Sequence, residues 1–198
     1  MRDRAFAMAA LALATALAWI ALAHSPMAMG LGAYLVGWTL MMTAMMLPSI
    51  APLVLLHDRQ RAVLAGAYLL VWGATGVLPY AAMRWGFMPS APLVLALAGL
   101  YEITPLKSAC LTRCRNPATF LIQHYGRGAF RLGLEHAVWC VACCVGLMAV
   151  LVLAAAMSLF WAAVLAAVVF VQKVLPRPDW SSRLTGIALL VAAAVVAL

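Results

Sequence analysis

The sequence predicts an all-α protein, built as a polytopic transmembrane helical bundle. Its 198 residues are 68% hydrophobic and only 9% charged, whereas a soluble domain is about half apolar. The apolar residues come in runs of about 20, the length of helix that crosses a bilayer. A membrane β-barrel would instead show short segments of alternating hydrophobicity. We therefore expect one helical domain over residues 1–198, with the lipid bilayer as its main partner.

Seven apolar segments can be drawn as membrane spans. The first follows Arg2 and Arg4 in a pattern that also resembles a cleavable signal peptide, but its apolar stretch is long for one and favours an uncleaved helix. The fifth and sixth segments separate near Met157, because a single helix of roughly 45 residues would far exceed the bilayer. The fourth and seventh segments are short. The seven segments are residues 5–23, 31–56, 62–86, 90–106, 130–154, 156–175 and 183–198.

The basic residues indicate how these spans are oriented. If the N-terminus lies in the cytoplasm, twelve of the thirteen Lys and Arg residues fall on the cytoplasmic side, and Arg84 alone falls outside. Such a bias follows the positive-inside rule and supports seven spans, a C-terminus outside and a cytoplasmic loop over residues 107–129. The location of the basic residues argues against nucleic acid as a partner, despite a formal net charge of +8. We expect the protein to be located in the inner membrane of a bacterium.

Three cysteines in the fifth span are the strongest functional signal. Cys140, Cys143 and Cys144 lie at helical spacing on one stripe, with His136 one turn earlier. Soft sulfur ligands suit Cu(I). Cysteine also behaves as a small buried hydrophobe, and a thiol at this depth needs a metal or a nearby cation to ionise. The pattern predicts a buried copper site.

A methionine cluster in the second span adds further soft donors. Met41 and Met45 are one turn apart, and Met46 follows. Thioether sulfur is a soft, neutral ligand for Cu(I), although methionine is also a flexible filler of cores. Both sulfur clusters fall near the middle of their spans, offset by only a few ångströms at about 1.5 Å per residue. We expect them to form one site if the second and fifth spans are neighbours.

Two further groups mark points where copper could enter or leave. Cys110 and Cys114 face the same way on a helix and lie among basic residues that favour thiolates. They could also form a redox pair or be structural. On the outer side, His24, Met27 and Met29 fill the first loop. Together with the clusters in the spans, these residues outline a path from the cytoplasm to the outside.

Two carboxylates lie at membrane depth, where such groups are costly and often functional. Glu102 and Glu135 fall toward the cytoplasmic ends of their spans, where Lys107, Arg131 or His136 could pair with them. Such ion pairs would fix the packing of helices. Alternatively, the two carboxylates support the metal ligands, or Glu102 carries a proton.

Several of these pieces together resemble a bacterial family described as predicted metal-binding integral membrane proteins, a domain of unknown function. The resemblance covers about residues 38–176 and implies metal binding, with copper the expected metal, but no mechanism. The chain departs from the family at Ala142 and Val145, where Gly and Trp are more usual. The matching residues are Met45 to Ser49, Tyr101, Thr104 to Lys107, Cys110, Cys114, Arg115, Gly133, His136, Cys140, Cys143, Cys144, Leu147, Met148 and Lys173 to Pro176.

The function predicted from these features is Cu(I) handling: transport, delivery or chaperoning, with a copper-enzyme subunit or a copper chaperone as partner. No nucleophile elbow, phosphate-binding glycine loop or ATP-binding domain is present in the sequence, so we expect no enzyme and no pump driven by its own hydrolysis. Two alternatives stay open. One is a membrane thiol-disulfide oxidoreductase coupled to quinone, and the other is a noncatalytic subunit of a larger membrane complex.

Overall fold

The computed structural model describes residues 2–24, 30–57, 60–87, 89–154, 158–174 and 178–198. Within these ranges no residue lies in a β-strand, which confirms the all-α prediction. Ten helices lie in them, in the order α1 (Arg2–His24), α2 (Leu31–Leu56), α3 (Arg61–Thr75), α4 (Val77–Arg84), α5 (Ala91–Glu102), α6 (Pro105–Arg115), α7 (Pro117–Gln123), α8 (Ala129–Leu153), α9 (Leu159–Val174) and α10 (Pro178–Ala197).

Five stretches of helix among the described residues are long and apolar enough to cross a membrane. The helices α5 and α6, bent by 65° from each other, would make a sixth if both belong to one span. Helix α9 has 16 residues and is therefore about 24 Å long, shorter than a hydrocarbon core of about 30 Å. The count of seven spans and their orientation stay predictions. The five stretches are Arg2–His24, Leu31–Leu56, Arg61–Arg84, Ala129–Leu153 and Asp179–Ala197.

Residues 107–129, predicted to form a cytoplasmic loop, are mostly helical. They contain most of α6, all of α7 and the first residue of α8. Asn116 precedes Pro117 between α6 and α7, and proline both lacks the backbone donor and disfavours helix in the residue before it. Gly126, with a φ of +83°, separates α7 from α8. These residues thus separate short helices within the segment predicted as a cytoplasmic loop.

The chain divides into two compact units, each made of two stretches of sequence. The first unit comprises residues 1–80 and 116–138, and the second comprises residues 81–115 and 139–198. The single membrane domain over residues 1–198 stays a prediction.

In the first unit, α2 packs on α3 through Trp38, which is buried. The indole Nε1 of Trp38 donates to the carbonyl of Trp72 at 3.1 Å and to Thr75 Oγ1 at 3.3 Å. Gly76 lies against the same ring, where a Cβ would come within 2.6 Å of Cδ1. The segment predicted as one span over 62–86 consists of α3 and α4, which meet at Gly76 and count together as one stretch long enough to cross a membrane.

In the second unit, α5 and α10 cross at two glycines. A Cβ on Gly99 would lie 2.9 Å from the carbonyl oxygen of Gly186, and a Cβ on Gly186 would lie 2.8 Å from that of Gly99. Backbones that approach this closely need small residues, as is common where apolar helices pack. The crossing brings the end of α5, at Glu102, next to the first turns of α10.

The bend between α5 and α6 comes from Thr104 and Pro105. The Thr104 hydroxyl donates to the carbonyl of Tyr101 at 2.7 Å and accepts from the backbone N–H of Lys107 at 3.3 Å. It caps α6, and Pro105 occupies the first helical position, where its missing N–H costs nothing. The chain therefore turns sharply, and Lys107 faces back toward Glu102.

Candidate metal centre

Three cysteine sulfurs meet in the second unit. The Sγ atoms of Cys114 on α6 and of Cys140 and Cys143 on α8 all lie within 4.8 Å of one another. We call these three residues the thiol cluster. The Sγ atom of Cys143 is 3.7 Å from that of Cys114 and 3.5 Å from that of Cys144. All five cysteines are free thiols.

The separations and the burial of the thiol cluster suit a soft cation. Three sulfurs around a metal at about 2.3 Å each would lie about 4 Å apart, close to the separations found here. The exposed fraction is 6% for Cys114 and zero for Cys140 and Cys143. A buried site with an all-sulfur donor set favours Cu(I), Zn(II) or related soft ions over ions that prefer oxygen.

Two local features of the sequence build the cluster. The spacing of Cys140 and Cys143 places both sulfurs on one side of α8, and the Cys143 thiol donates to the carbonyl of Cys140 at 3.2 Å. The third sulfur comes from α6, the helix that begins at the bend after Thr104. Cys114 stands near the end of that helix, so its sulfur reaches the two on α8.

A lysine contacts the thiol cluster directly. The Nζ atom of Lys173, in the last turn of α9, lies 2.9 Å from the Sγ atom of Cys140. The Arg115 side chain donates from Nε to the carbonyl of Lys173 at 2.9 Å. The C-terminal turn of α9 is thereby held against α6, with a cationic group at the sulfurs.

Next to the cluster lies a buried ion pair. Lys107 Nζ is 2.6 Å from Glu102 Oε1, and it also donates to the carbonyl of Cys143. The other carboxylate oxygen accepts from Gln172 Nε2 at 2.8 Å and from Ser182 Oγ at 3.0 Å. Both charged side chains are at most 1% exposed. The network therefore joins α5, α6, α8, α9 and α10 around the sulfurs with its carboxylate oxygens bonded.

Two further contacts fix the cysteine-bearing part of α8. The Tyr101 hydroxyl donates to the carbonyl of Ala142 at 2.5 Å, and Gly146 leaves room for the same ring, which a Cβ would approach to 3.3 Å. The Arg113 guanidinium lies 4.0 Å from the centre of the Trp139 ring, a cation–π contact. The helix is held on both sides of the thiols.

The other predicted metal ligands are placed as follows. Cys144 and Cys110 are buried, with 2% and 3% exposure. Met41, Met45 and Met46 are buried in the first unit, and their role as thioether ligands, together with their meeting with the cysteines, stays a prediction.

The imidazole of His136 packs among aromatic rings of the first unit. Its ring centroid lies 5.2 Å from that of Phe120 and 6.1 Å from that of Tyr68. His24 is the exposed last residue of α1, and Met27 and Met29 lie outside the described residues. The functions predicted for these residues stay predictions.

Glu135 belongs to an ion-pair group near the start of α8. It accepts from Arg131 Nε at 2.9 Å and from Arg127, and its second oxygen is 3.3 Å from His124 Nε2. Its side chain is 24% exposed. Each predicted carboxylate thus has a basic partner that the sequence indicated: Lys107 for Glu102 and Arg131 for Glu135.

Sequence reasoning missed two members of the centre. It placed Cys114 with Cys110 at a separate point on the cytoplasmic side, whereas the structure places it in the thiol cluster. The signal for this was Thr104-Pro105, which marks a helix boundary and hence a helix that can fold back. It also gave no role to Lys173, and no local pattern could have done so, because its contact with Cys140 spans 33 positions.

A comparison with models of protein families connects the chain with one particular metal. The model of the copper chaperone family PpoB2 matches residues 35–196, which include the thiol cluster, Lys173 and the methionines of α2. The chain belongs to the PpoB2 family of copper chaperones. No curated protein and no solved structure matches it. Membership associates the chain with copper, and the thiol cluster is a donor set that suits this metal.

Proposed function

We propose that the chain is an integral membrane protein that binds Cu(I) at the thiol cluster and hands it to a partner. The observation that carries this proposal is the meeting of the buried Cys114, Cys140 and Cys143 sulfurs within 4.8 Å of one another. Copper is the cargo here, not a resident cofactor. The chain itself needs no enzymatic activity for this role.

Thiolate ligands and burial supply complementary parts of the chemistry. Three thiolates satisfy the preference of Cu(I) for soft donors, and exclusion of water protects a reduced ion. The Cys144 sulfur, 3.5 Å from that of Cys143, offers a fourth soft donor next to the cluster. A neighbouring donor allows the ion to move by exchange of one ligand at a time. A carrier needs such exchange because it must also release its cargo.

Integration into a bilayer is supported by the outward faces of the helices. Phe6 on α1 is 77% exposed and Leu78 on α4 is 74% exposed. Large apolar side chains that face outward from apolar helices are stable in lipid rather than in water. The proposed location is the inner membrane of a bacterium, and the proposed partner is a copper-enzyme subunit or a second copper chaperone. Along the path we place Cys110, His24, Met27 and Met29 as further soft donors.

The proposal is tested by Cu(I) binding to the protein purified in detergent. Competition with a chromophoric Cu(I) chelator should show one tightly bound ion. Cys114→Ser should weaken binding by on the order of a hundredfold or more, because even residues that only support metal ligands contribute about 10- to 100-fold. Cys110→Ser, one turn away on the same helix, is the matched control for loss of a buried thiol and should weaken binding far less, because the Cys110 sulfur is not part of the thiol cluster. A wild-type protein that binds no Cu(I), or equal losses in the two variants, would contradict the proposal.

The Cys114–Cys143 distance of 3.7 Å also favours a second candidate, a thiol-disulfide oxidoreductase. Formation of that disulfide would release two protons and pass two electrons to a quinone. In this case the isolated protein would form a Cys114–Cys143 disulfide in the presence of quinone, and the Cys143→Ser variant would not. Neither the wild-type protein nor the variant would contain copper. Mass spectrometry of alkylated peptides together with elemental analysis separates the two functions.

A further inference from the structure

The two lysines of the chain have different electrostatic roles in the second unit. Lys107 is paired with the Glu102 carboxylate at 2.6 Å, so its charge is balanced locally. Lys173 places its ammonium 2.9 Å from the Cys140 sulfur. The charge of Lys173 therefore acts on the thiol cluster itself.

The charge of a loaded thiol cluster depends on the ion it holds. Three thiolates with a monovalent cation carry a net charge of −2, and the same thiolates with a divalent cation carry −1. An adjacent ammonium is attracted more strongly to the first of these, and inside a protein such interactions are only weakly screened. The difference between the two ions does not depend on how the metal-free thiols are protonated, because both ions bind to the same starting state.

We propose that Lys173 is a selectivity residue, which raises the preference of the thiol cluster for a monovalent soft cation over a divalent one. The proposal rests on the function proposed above and adds a determinant of which ion is carried. Lys173 acts through the charge it holds at the sulfurs and is not itself a metal ligand. The bond from Arg115 to the Lys173 carbonyl keeps the ammonium in place at the end of α9.

The test compares Cu(I) with Cd(II) in the full-length protein in detergent. Dissociation constants for Cu(I) come from chelator competition, and those for Cd(II) come from the thiolate-to-metal charge-transfer absorption, which reports sulfur coordination directly. In Lys173→Gln, the ratio of Cu(I) to Cd(II) affinity should fall by on the order of tenfold or more. Lys173→Arg keeps the charge and should recover most of that ratio. Arg183→Gln removes an exposed positive charge of α10 and should leave the ratio unchanged.

The outcomes separate this proposal from the one on which it rests. If Lys173→Gln weakens both ions by the same factor, or neither, Lys173 is a structural residue and the selectivity role is wrong, while copper binding stands. If the wild-type protein binds Cd(II) through sulfur but no Cu(I), both proposals fail. Thermal unfolding of each variant checks that its fold is retained. Should Lys173→Gln not fold, Lys173→Met, which keeps an unbranched side chain and removes the charge, takes its place. A lower ratio of Cu(I) to Cd(II) affinity in that variant supports the role of charge, and an unchanged ratio overturns it.

Discussion

At the scale of single residues, the second unit contains charged side chains that are buried, although burial of a charge normally costs free energy. Glu102 and Lys107 are almost completely buried and pair at 2.6 Å, and their remaining bonds go to Gln172, Ser182 and the Cys143 carbonyl. A buried pair adds little net stability over an apolar one, but loss of one partner leaves an uncompensated charge. The pair therefore specifies how the helices meet at the thiol cluster more than it stabilises them.

Removal of the Glu102 charge should be strongly destabilising. In Glu102→Gln the Lys107 ammonium keeps no anionic partner, and we expect the free energy of unfolding to fall by about 3–5 kcal/mol. The matched control is Glu135→Gln, because Glu135 is 24% exposed and pairs with arginines that are 38% and 68% exposed. Glu135→Gln should lower the free energy of unfolding by about 1 kcal/mol or less. Unfolding titrations in detergent measure both values, and equal costs would contradict the role given to the buried pair.

At the scale of helices, two backbone features position the centre. The capped start of α6 at Thr104 and Pro105 returns the chain on itself, and the crossing of α5 with α10 depends on Gly99 and Gly186. Neither feature involves a metal ligand. Both determine whether the end of α5, with Glu102, lies beside the sulfurs.

A methyl group at the helix crossing should disrupt it. In Gly186→Ala the new Cβ would meet Ile103 Cγ2 at 2.7 Å and the Gly99 carbonyl at 2.8 Å. Because backbone cannot move aside cheaply, we expect a loss of about 1–3 kcal/mol in the free energy of unfolding, together with weaker Cu(I) binding. Gly66→Ala in the interior of α3 is the control. No described atom lies within 4 Å of a Cβ placed on Gly66. Alanine should therefore raise the free energy of unfolding by about 0.5–1 kcal/mol through its higher helix propensity. Similar effects at both positions would refute the packing argument.

The helices themselves were largely predictable, and their breaks less so. The apolar run over 31–56 is one helix from Leu31 to Leu56, and the run over 130–154 is α8 from Ala129 to Leu153. In contrast, the hydropathy of the run over 62–86 does not reveal that it consists of two helices, α3 and α4, which meet at Gly76. Likewise, i to i+3 spacing pairs Cys140 with Cys143 from sequence alone, whereas Cys114 joins them only through the tertiary fold.

At the scale of the whole molecule, composition fixes the helical class but not the number of spans. With the helices as observed, seven spans require that α5 and α6 together form one span, which would take α6 out of the cytoplasmic loop predicted over residues 107–129. They also require that α9 cross the bilayer despite its 16 residues. The second requirement is the more demanding, since the helix is about 6 Å shorter than a typical hydrocarbon core. The bilayer can thin to accommodate a short helix at modest cost.

Cysteine labelling in cells tests whether α9 crosses. The native cysteines are buried, so a single introduced cysteine can be labelled above a low background. With a cytoplasmic N-terminus and seven spans, Ser158→Cys before α9 should react with an impermeant maleimide added outside. Trp180→Cys after α9 should react only once the membrane is permeabilised. Labelling of both residues from the same side would show that α9 does not span.

The most direct test of the central claim is X-ray absorption at the copper edge of the Cu(I)-loaded protein. We predict one copper with about three sulfur neighbours near 2.3 Å, and about two in Cys114→Ser. A copper ion surrounded by nitrogen or oxygen, or an absorption spectrum that does not change in the Cys114→Ser variant, would contradict the claim that these three thiols carry the metal.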